Sequence, residues 1–384
     1  MLIINARVLP VEGAPIENGF LQMENGKITG LGPMNKVPQD EEVVDAQGGY
    51  VLPGFIDAHC HLGICGDSVG VESDDCNEMS EPVLPQLRAI DGVNPMDRYF
   101  RESAAAGITT VMTGPGSANP IAGQFIAMKT RGRRIDDMAL QPFACMKFAM
   151  GENPKMTYGE KRETPMTRMA TAALIREMLY KTREYLKKLE RAEADSEEDP
   201  PDYDARCEAL LPVLKREMPA HFHAHRADDI LTAIRIAKEF DLDYVIVHGT
   251  DGHLIADILA EEGARVICGP LISDRSKPEL FNQRMENPAV LSKAGVKVAI
   301  CTDHPELPAE YLPLSAAMAV RSGMDPDTAL RSITLDAAEI IGVADRIGSL
   351  KVGKDADVVL CSAHPFDMSC RVEAVWIDGR RVEA

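Results

Sequence analysis

Positive charge is scarce in this sequence. Its 384 residues hold 41 lysines and arginines against 60 aspartates and glutamates, a formal net charge of −19. That deficit excludes the basic footprint of a nucleic-acid binder and the polybasic clamp of a membrane-surface protein. Long apolar runs are also missing. No stretch approaches the roughly 18 residues of a membrane span, and the opening MLIINARVLPVEGAP reads as neither leader nor anchor. The nine cysteines show no CxxC spacing, and Cys60, Cys145 and Cys301 lie in runs that read as buried strands. A secreted disulfide framework is therefore excluded, and reduced thiols in a cytoplasmic setting are expected. No GxGxxG follows the first long apolar run, which counts against a dinucleotide-binding open sheet.

What is present is ordinary globular material: 45% apolar and 26% charged residues, too apolar for intrinsic disorder. The length suits one large domain with a small one, or two domains. Both ends are β-rich. Asn25-Gly26 and Asp378-Gly379 separate short apolar runs and predict tight hairpins, because Asn, Asp and Gly tolerate positive φ. Between the ends, apolar runs alternate with amphipathic helices. GITTVMTG follows a predicted helix at Asp97–Ala106, and DYVIVHG follows one at Asp228–Phe240. ARVICGP follows His253–Glu262, and VKVAICTDH follows Ala289–Ala294. Adding YVLPGFIDAHCH, ALQPFACMK, PAHFHAH and the weaker QFIAMK gives about eight strands, which predicts an α/β chain folded as a closed (β/α)8 TIM-like barrel. An open doubly wound sheet is the competing architecture. Two segments break the rhythm: an acidic, proline-containing loop at Cys65–Pro95, and an insertion at Thr164–Leu214. The insertion holds charged helices around the solvated run Glu193–Asp202.

The histidines number nine, and they cluster where chemistry would need them. His59 and His61 close Phe55-Ile56-Asp57-Ala58-His59-Cys60-His61. His221, His223 and His225 alternate along Ala220-His221-Phe222-His223-Ala224-His225. His248 ends Tyr244-Val245-Ile246-Val247-His248, and Asp303-His304 follows Ile300-Cys301-Thr302. All fall at the C-terminal ends of predicted strands, where a barrel places its site. Residues two apart on a strand share a face. Imidazoles and carboxylates are the donors of Zn2+ and similar divalent ions. Two histidines, two single histidines and an aspartate from four strand ends make a metal-site composition.

These residues, with Asn5-Ala6-Arg7, Pro53-Gly54 before the HxH strand, and the tail Gly348-Ser349-Leu350-Lys351-Val352-Gly353-Lys354-Asp355-Ala356-Asp357, resemble the amidohydrolase superfamily. Within it the look is of imidazolonepropionase-like and Xaa-Pro dipeptidase-like enzymes, over nearly the whole chain. The resemblance implies a (β/α)8 barrel at residues 50–349 and a small β-sandwich built from residues 1–49 and 350–384. It implies one or two divalent ions, Zn2+ or another metal, held by His59, His61, His223, His248 and Asp303. Asp303 would also handle the proton of the attacking water as general acid and base. Two-metal members bridge their ions with a carboxylated lysine or a glutamate at the fourth strand. Lys147, in Phe143-Ala144-Cys145-Met146-Lys147, fits the lysine form, Glu152 is the second candidate, and with neither the site is mononuclear.

The implied reaction is hydrolysis of a C–N bond, in an amide, cyclic amide or peptide-type substrate, by metal-activated water. Deaminase members carry Glu three residues after the fifth-strand histidine; this chain has Arg226 there, which disfavours a nucleobase deaminase. His225, Arg226 and Arg168 are the expected contacts to an anionic small-molecule substrate. Gly114–Asn119 either offers backbone donors to substrate or is only a tight turn. His221, His253 and His364 read as structural or surface residues, and the chain is expected to form a homo-oligomer. The rival readings are a non-catalytic amidohydrolase-like scaffold, and deamination or decarboxylation on the same metal site.

Overall fold

A computed structural model of the chain describes residues 1–40, 42–66 and 70–383. Asp67, Ser68 and Val69 of the acidic loop, and Glu41 and Ala384 of the terminal segments, lie outside the described residues.

Both chain ends meet in a separate eight-stranded sheet, in which Leu2–Val8 pairs with Ile16–Glu24 and Tyr50–Pro53, and Tyr50–Pro53 pairs with Val358–Cys361. The strand Tyr50–Pro53 thus lies in the terminal sheet, just past residue 49. The two predicted hairpins are there: Asn25 and Gly26 have φ of 52° and 79°, Asp378 and Gly379 51° and 68°. Ile3, Leu21, Val51, Leu350, Val358 and Trp376 form this sheet's own apolar cluster.

The second sheet is the barrel. Its strands are β1 (Phe55–Cys60), β2 (Ile108–Thr113), β3 (Ile121–Lys129), β4 (Ala139–Ala149), β5 (Ala220–Ala224), β6 (Tyr244–His248), β7 (Arg265–Cys268) and β8 (Lys297–Ile300). They follow one another in space in chain order. The strict strand–helix alternation expected from the sequence fails at one place, because β3 runs antiparallel to both β2 and β4. The turn Gly114–Pro120 is too short to hold the crossover of roughly a dozen residues that a parallel neighbour needs.

Between β8 and β1 the barrel is nearly closed. Asp303 N–H donates to the His59 carbonyl at 3.2 Å, and His61 N–H to the His304 carbonyl at 2.8 Å. The buried Asp57 carboxylate spans the same seam, accepting from Thr302 N at 3.2 Å and from the Thr302 hydroxyl. Ile56, Met112, Phe125, Cys145, Val247, Ile267 and Ala299, from strands all round the sheet, meet in one apolar cluster inside it. On β4 and β5 alternate residues pack outward, where Phe148 stacks on Phe222 at 4.8 Å.

Helices cover the outside. Asp97 caps Arg98–Ala105, its carboxylate accepting from Tyr99 N. The insertion is the helix Arg168–Ala194, capped by Thr167, then Ala205–Leu214, capped by Asp204, with the acidic run exposed between them. No helix among the described residues is long and apolar enough to cross a membrane.

Candidate metal centre

The C-terminal strand ends surround a cavity of about 400 Å³ lined by His61, His223, His225, His248 and Asp303. Two groups of donor atoms stand out within it. The ligand atoms of His59, His61 and Asp303 lie within 4.8 Å of one another, and so do those of His223, His225 and His248. Asp303 Oδ1 is 3.5 Å from His59 Nε2 and 3.4 Å from His61 Nε2. The His248 ring joins the groups, its centroid 5.6 Å from that of His59 and 4.5 Å from that of His223. Lys147 Nζ reaches in from β4 to 3.1 Å from His59 Nε2.

Local structure sets how each ring presents itself. His61 Nδ1 is 2.7 Å from the Gly114 carbonyl and His248 Nδ1 is 2.7 Å from the Gly269 carbonyl. A carbonyl can only accept, so Nδ1 carries the proton in both rings and Nε2 keeps its lone pair. The Thr250 hydroxyl holds His225 Nδ1 at 2.7 Å. His59 stacks on Phe125 with centroids 5.1 Å apart. A Cβ at Gly114 would come within 2.3 Å of that Phe125 ring, so only glycine lets the turn approach. His248, which ends β6, and Asp303, three residues past β8, have left-handed backbone, φ 71° and 55°. Such conformations cost about 1–3 kcal/mol each and persist where surrounding contacts impose them.

Burial governs the electrostatics. It pushes His223 and His225 well below the usual imidazole range and His248 down to about 4, so these rings are neutral at pH 7. It lowers Lys147 to about 8, against a partial pull upward from Asp303. Burial also pushes Asp303 up, but His248, His61 and Lys147 outweigh it and hold its carboxylate below the usual range.

The donor set fits a divalent ion. His225 Nε2 and Asp303 Oδ1 are buried and have no hydrogen-bond partner among the described residues. Lone pairs left bare in the interior are costly unless a cation or a substrate meets them.

The structure therefore brings His59, His61, Lys147, His223, His248 and Asp303 together. It also moves three expected contacts. His225, expected at the substrate, lies in the same donor group as His223 and His248, because the two-residue period of β5 carries both rings to one side. Arg226 pairs with Asp228 through Nε at 2.9 Å and Nη2 at 2.8 Å, and it lines a different surface depression. Arg168 is paired with the buried Asp229, at 3.0 and 3.1 Å, and does not line the cavity. Arg88 is exposed beside Asp91. Glu152 does not face the donor groups either. It exchanges two hydrogen bonds with Glu279, N to Oε2 at 3.0 Å and Oε2 from Glu279 N at 3.2 Å.

Sequence reasoning missed the segment after β7. Glu279, on the single turn Pro278–Leu280, is 1% exposed and places Oε1 3.6 Å from His225 Nε2. Lys277 Nζ lies 2.8 Å from that carboxylate and 3.0 Å from Asn153 Oδ1, while Asn153 Nδ2 donates to Ser117 Oγ at 2.7 Å. Ser117 belongs to the Gly114–Asn119 turn, which is tight; its Gly116 and Ala118 N–H groups donate to the Cys76 carbonyl and Asn77 Oδ1, and it meets the site through the Gly114 carbonyl and the Ser117 hydroxyl. No periodicity marks Ser276-Lys277-Pro278-Glu279; the one available signal was two charges flanking a proline in a loop at the C-terminal face.

A barrel with a histidine- and carboxylate-lined mouth at its C-terminal strand ends is the architecture of a metal-binding hydrolase class. The chain belongs to the amidohydrolase family, whose model matches residues 50–382. A solved amidohydrolase of Thermotoga maritima MSB8 is 43% identical, with a TM-score of 0.95, covering 100% of this chain and 99% of that one. Amidohydrolase tasK of Hapsidospora irregularis is 28% identical across 95% of this chain, which spans only 39% of that relative's length. An imidazolonepropionase of Symbiobacterium thermophilum is 26% identical across 91% of this chain and 85% of its own.

Proposed function

We propose that this protein is a metal-dependent hydrolase of a C–N bond in a small, anionic amide or cyclic amide. The observation that carries the reading is the convergence of five histidines, Asp303 and Lys147 from β1, β4, β5, β6 and β8, with lone pairs unsatisfied in a buried mouth. His59, His61 and Asp303 would hold one divalent ion and His223, His225 and His248 a second, with Lys147 between them in neutral or carboxylated form. Zn2+ is the favoured ion because imidazole predominates. When bound, such an ion supplies a nucleophilic water at neutral pH and polarises the scissile carbonyl.

The chain's own groups do the rest. Asp303 is ionised and half-buried, and its Oδ1 has no hydrogen-bond partner among the described residues, so it would accept a proton from water and return it to the leaving nitrogen. General acid–base help of this kind contributes about 10²–10⁴-fold. Lys277 is the one lysine or arginine lining the cavity among the described residues, and it takes over the substrate-anion role that Arg226 and Arg168 do not fill. Chain copies assembling into a homo-oligomer in a reducing cytoplasm complete the reading; nine unpaired cysteines support the compartment.

One observation favours deamination as a second reading. Glu279 puts a buried carboxylate beside His223 and His225, the feature that Arg226 seemed to deny. The test is a screen of metal-reconstituted protein on N-acyl amino acids, dipeptides and cyclic ureides, alongside aminated heterocycles, with separate assays for amine and ammonia. Hydrolysis without ammonia supports the first reading and ammonia release the second. Protein that purifies without stoichiometric metal and is equally stable in chelator overturns both.

A further inference from the structure

A second set of donors lies in the wall of the same cavity. Cys65, Asp74 and Cys76 sit on the loop after β1, with two sulfurs and a carboxylate oxygen within 4.8 Å of one another. All three residues line the cavity. None belongs to the histidine-rich groups, and the reaction proposed above makes no use of them.

The loop is built to hold them together. Cys65 pairs with Asp74 in an antiparallel bridge, reinforced by Gly66 N to the Ser73 carbonyl at 2.7 Å and Asp75 N to the Ile64 carbonyl at 3.0 Å. Asp74 Oδ1 accepts from Cys76 N at 3.2 Å, which folds Cys76 back beside it and leaves Oδ2 outside that bond. The Cys76 carbonyl accepts from Gly116 N at 2.7 Å, and Asn77 Oδ1 accepts from Ala118 N at 3.0 Å. Those bonds pin the loop to the turn that also orients His61. Cys76 is buried and Cys65 half-buried.

We propose that Cys65, Asp74 and Cys76 form a separate cation site for a soft divalent ion, with its remaining coordination position turned to the cavity. Two thiolates and one carboxylate suit Zn2+ or Cd2+ and not Mg2+ or Ca2+, which take oxygen ligands. Three protein donors with one side open is the pattern of a site that also binds a solvent or substrate group. An anionic part of whatever enters the cavity is the group such an ion would hold. The site stands independently of the reaction assigned to the histidines.

Cd2+ titration of metal-stripped, reduced full-length protein tests this, because nitrogen and oxygen donors give no sulfur-to-cadmium charge-transfer band. The expected result is such an ultraviolet band, saturating at one equivalent. The Cys65→Ser/Cys76→Ser variant should lose the band and one equivalent of Cd2+ while keeping the ions lost in His59→Ala/His223→Ala protein. Asp74→Asn should keep the band and weaken binding about tenfold or more, the scale on which metal-site partners act. A measurement on the wild-type fold stands apart from how the variants fold: bound Cd2+ should slow iodoacetamide modification of Cys65 by about tenfold or more, read by mass spectrometry. The proposal is overturned if the band survives in the double variant, or if Cd2+ leaves Cys65 alkylation unchanged. It also falls if the protein purified under reducing conditions has lost two hydrogens through a Cys65–Cys76 disulfide.

Discussion

One buried carboxylate should strengthen the seam between β8 and β1 beside its two backbone hydrogen bonds, and a double-mutant cycle measures its share. Asp57 is fully buried; Oδ1 accepts from Thr302 N at 3.2 Å and His59 N at 3.4 Å, while Oδ2 accepts from the Thr302 hydroxyl. Asp57→Ala strands two donors on Thr302. Each buried unsatisfied donor costs about 1–3 kcal/mol. Burial pushes the Asp57 carboxyl up to about 7, so removing it returns part of that cost. The expected net loss is about 3 kcal/mol. Thr302→Val removes the hydroxyl bond and should cost about 1–2 kcal/mol. The two changes act on one contact, so they should couple by about 1–2 kcal/mol. Denaturant unfolding of metal-free protein in chelator is the assay, because bound metal would add its own stabilisation. Additive losses, with coupling below about 0.5 kcal/mol, would refute the claim that this pair strengthens the seam. A retained full complement of metal in Asp57→Ala would further show that the seam does not position His59 and Asp303.

Other consequences are as open to measurement. Asp303→Asn should cut turnover by about 10²–10⁴-fold on any substrate found, and a smaller loss would remove it as the proton carrier. Lys277→Met should raise KM for carboxylate-bearing substrates by about tenfold while leaving uncharged analogues near their original KM; equal effects on both would sink the anion role. Gly114→Ala should destabilise by about 1–3 kcal/mol, since its Cβ meets Phe125 at 2.3 Å, with unchanged stability the contrary result. Glu12 is lowered to about 2 by a hydrogen bond from Ser349, helped by Lys351 and Lys354. Its folded pKa is depressed, so its stabilisation is full above about pH 4.5 and is lost as pH falls toward 2. The carboxylate is 36% exposed, which reduces the contribution to about 1 kcal/mol. The stability gap between wild type and Glu12→Gln should therefore shrink below pH 4.5, and a pH-independent gap would contradict it.

Much of this was readable from residues alone, for physical reasons. Three barrel strands, β1, β5 and β6, are short runs that lead into histidines, β8 leads into Asp303, and the ends of strands are where side chains leave the packed interior. His59, His61, His223, His248 and Asp303 could be placed because each terminates such a run. Lys147 could be placed because β4 carries it one two-residue step beyond the inward Cys145. The hairpins at Asn25-Gly26 and Asp378-Gly379 followed from the φ those residues permit. Arg226 and Arg168 were misplaced because sequence position says nothing of a nearer partner. Asp228 and Asp229, at the start of the helix after β5, claim the two guanidinium groups before the cavity can. Lys277 and Glu279 were invisible because irregular loops carry no period, and Glu279 is held in place by reciprocal bonds with Glu152, 127 residues away in the chain.

The reversed strand β3 links the fold's irregularity to its chemistry. A regular barrel would put a crossover helix between β2 and β3 and carry the chain away from the C-terminal face. Here the chain stays there, turning through Gly114–Pro120. That turn puts the Gly114 carbonyl on His61, Ser117 on Asn153 and Gly116 N on the Cys76 carbonyl. The antiparallel strand then returns Phe125 beneath His59 and against Gly114. One short connection thus sets the tautomer of a β1 donor, supports the segment that carries Lys277, and anchors the cysteine loop. Restoring a helical crossover would remove all three supports together, so the departure from barrel regularity is concentrated where the site needs rigid partners.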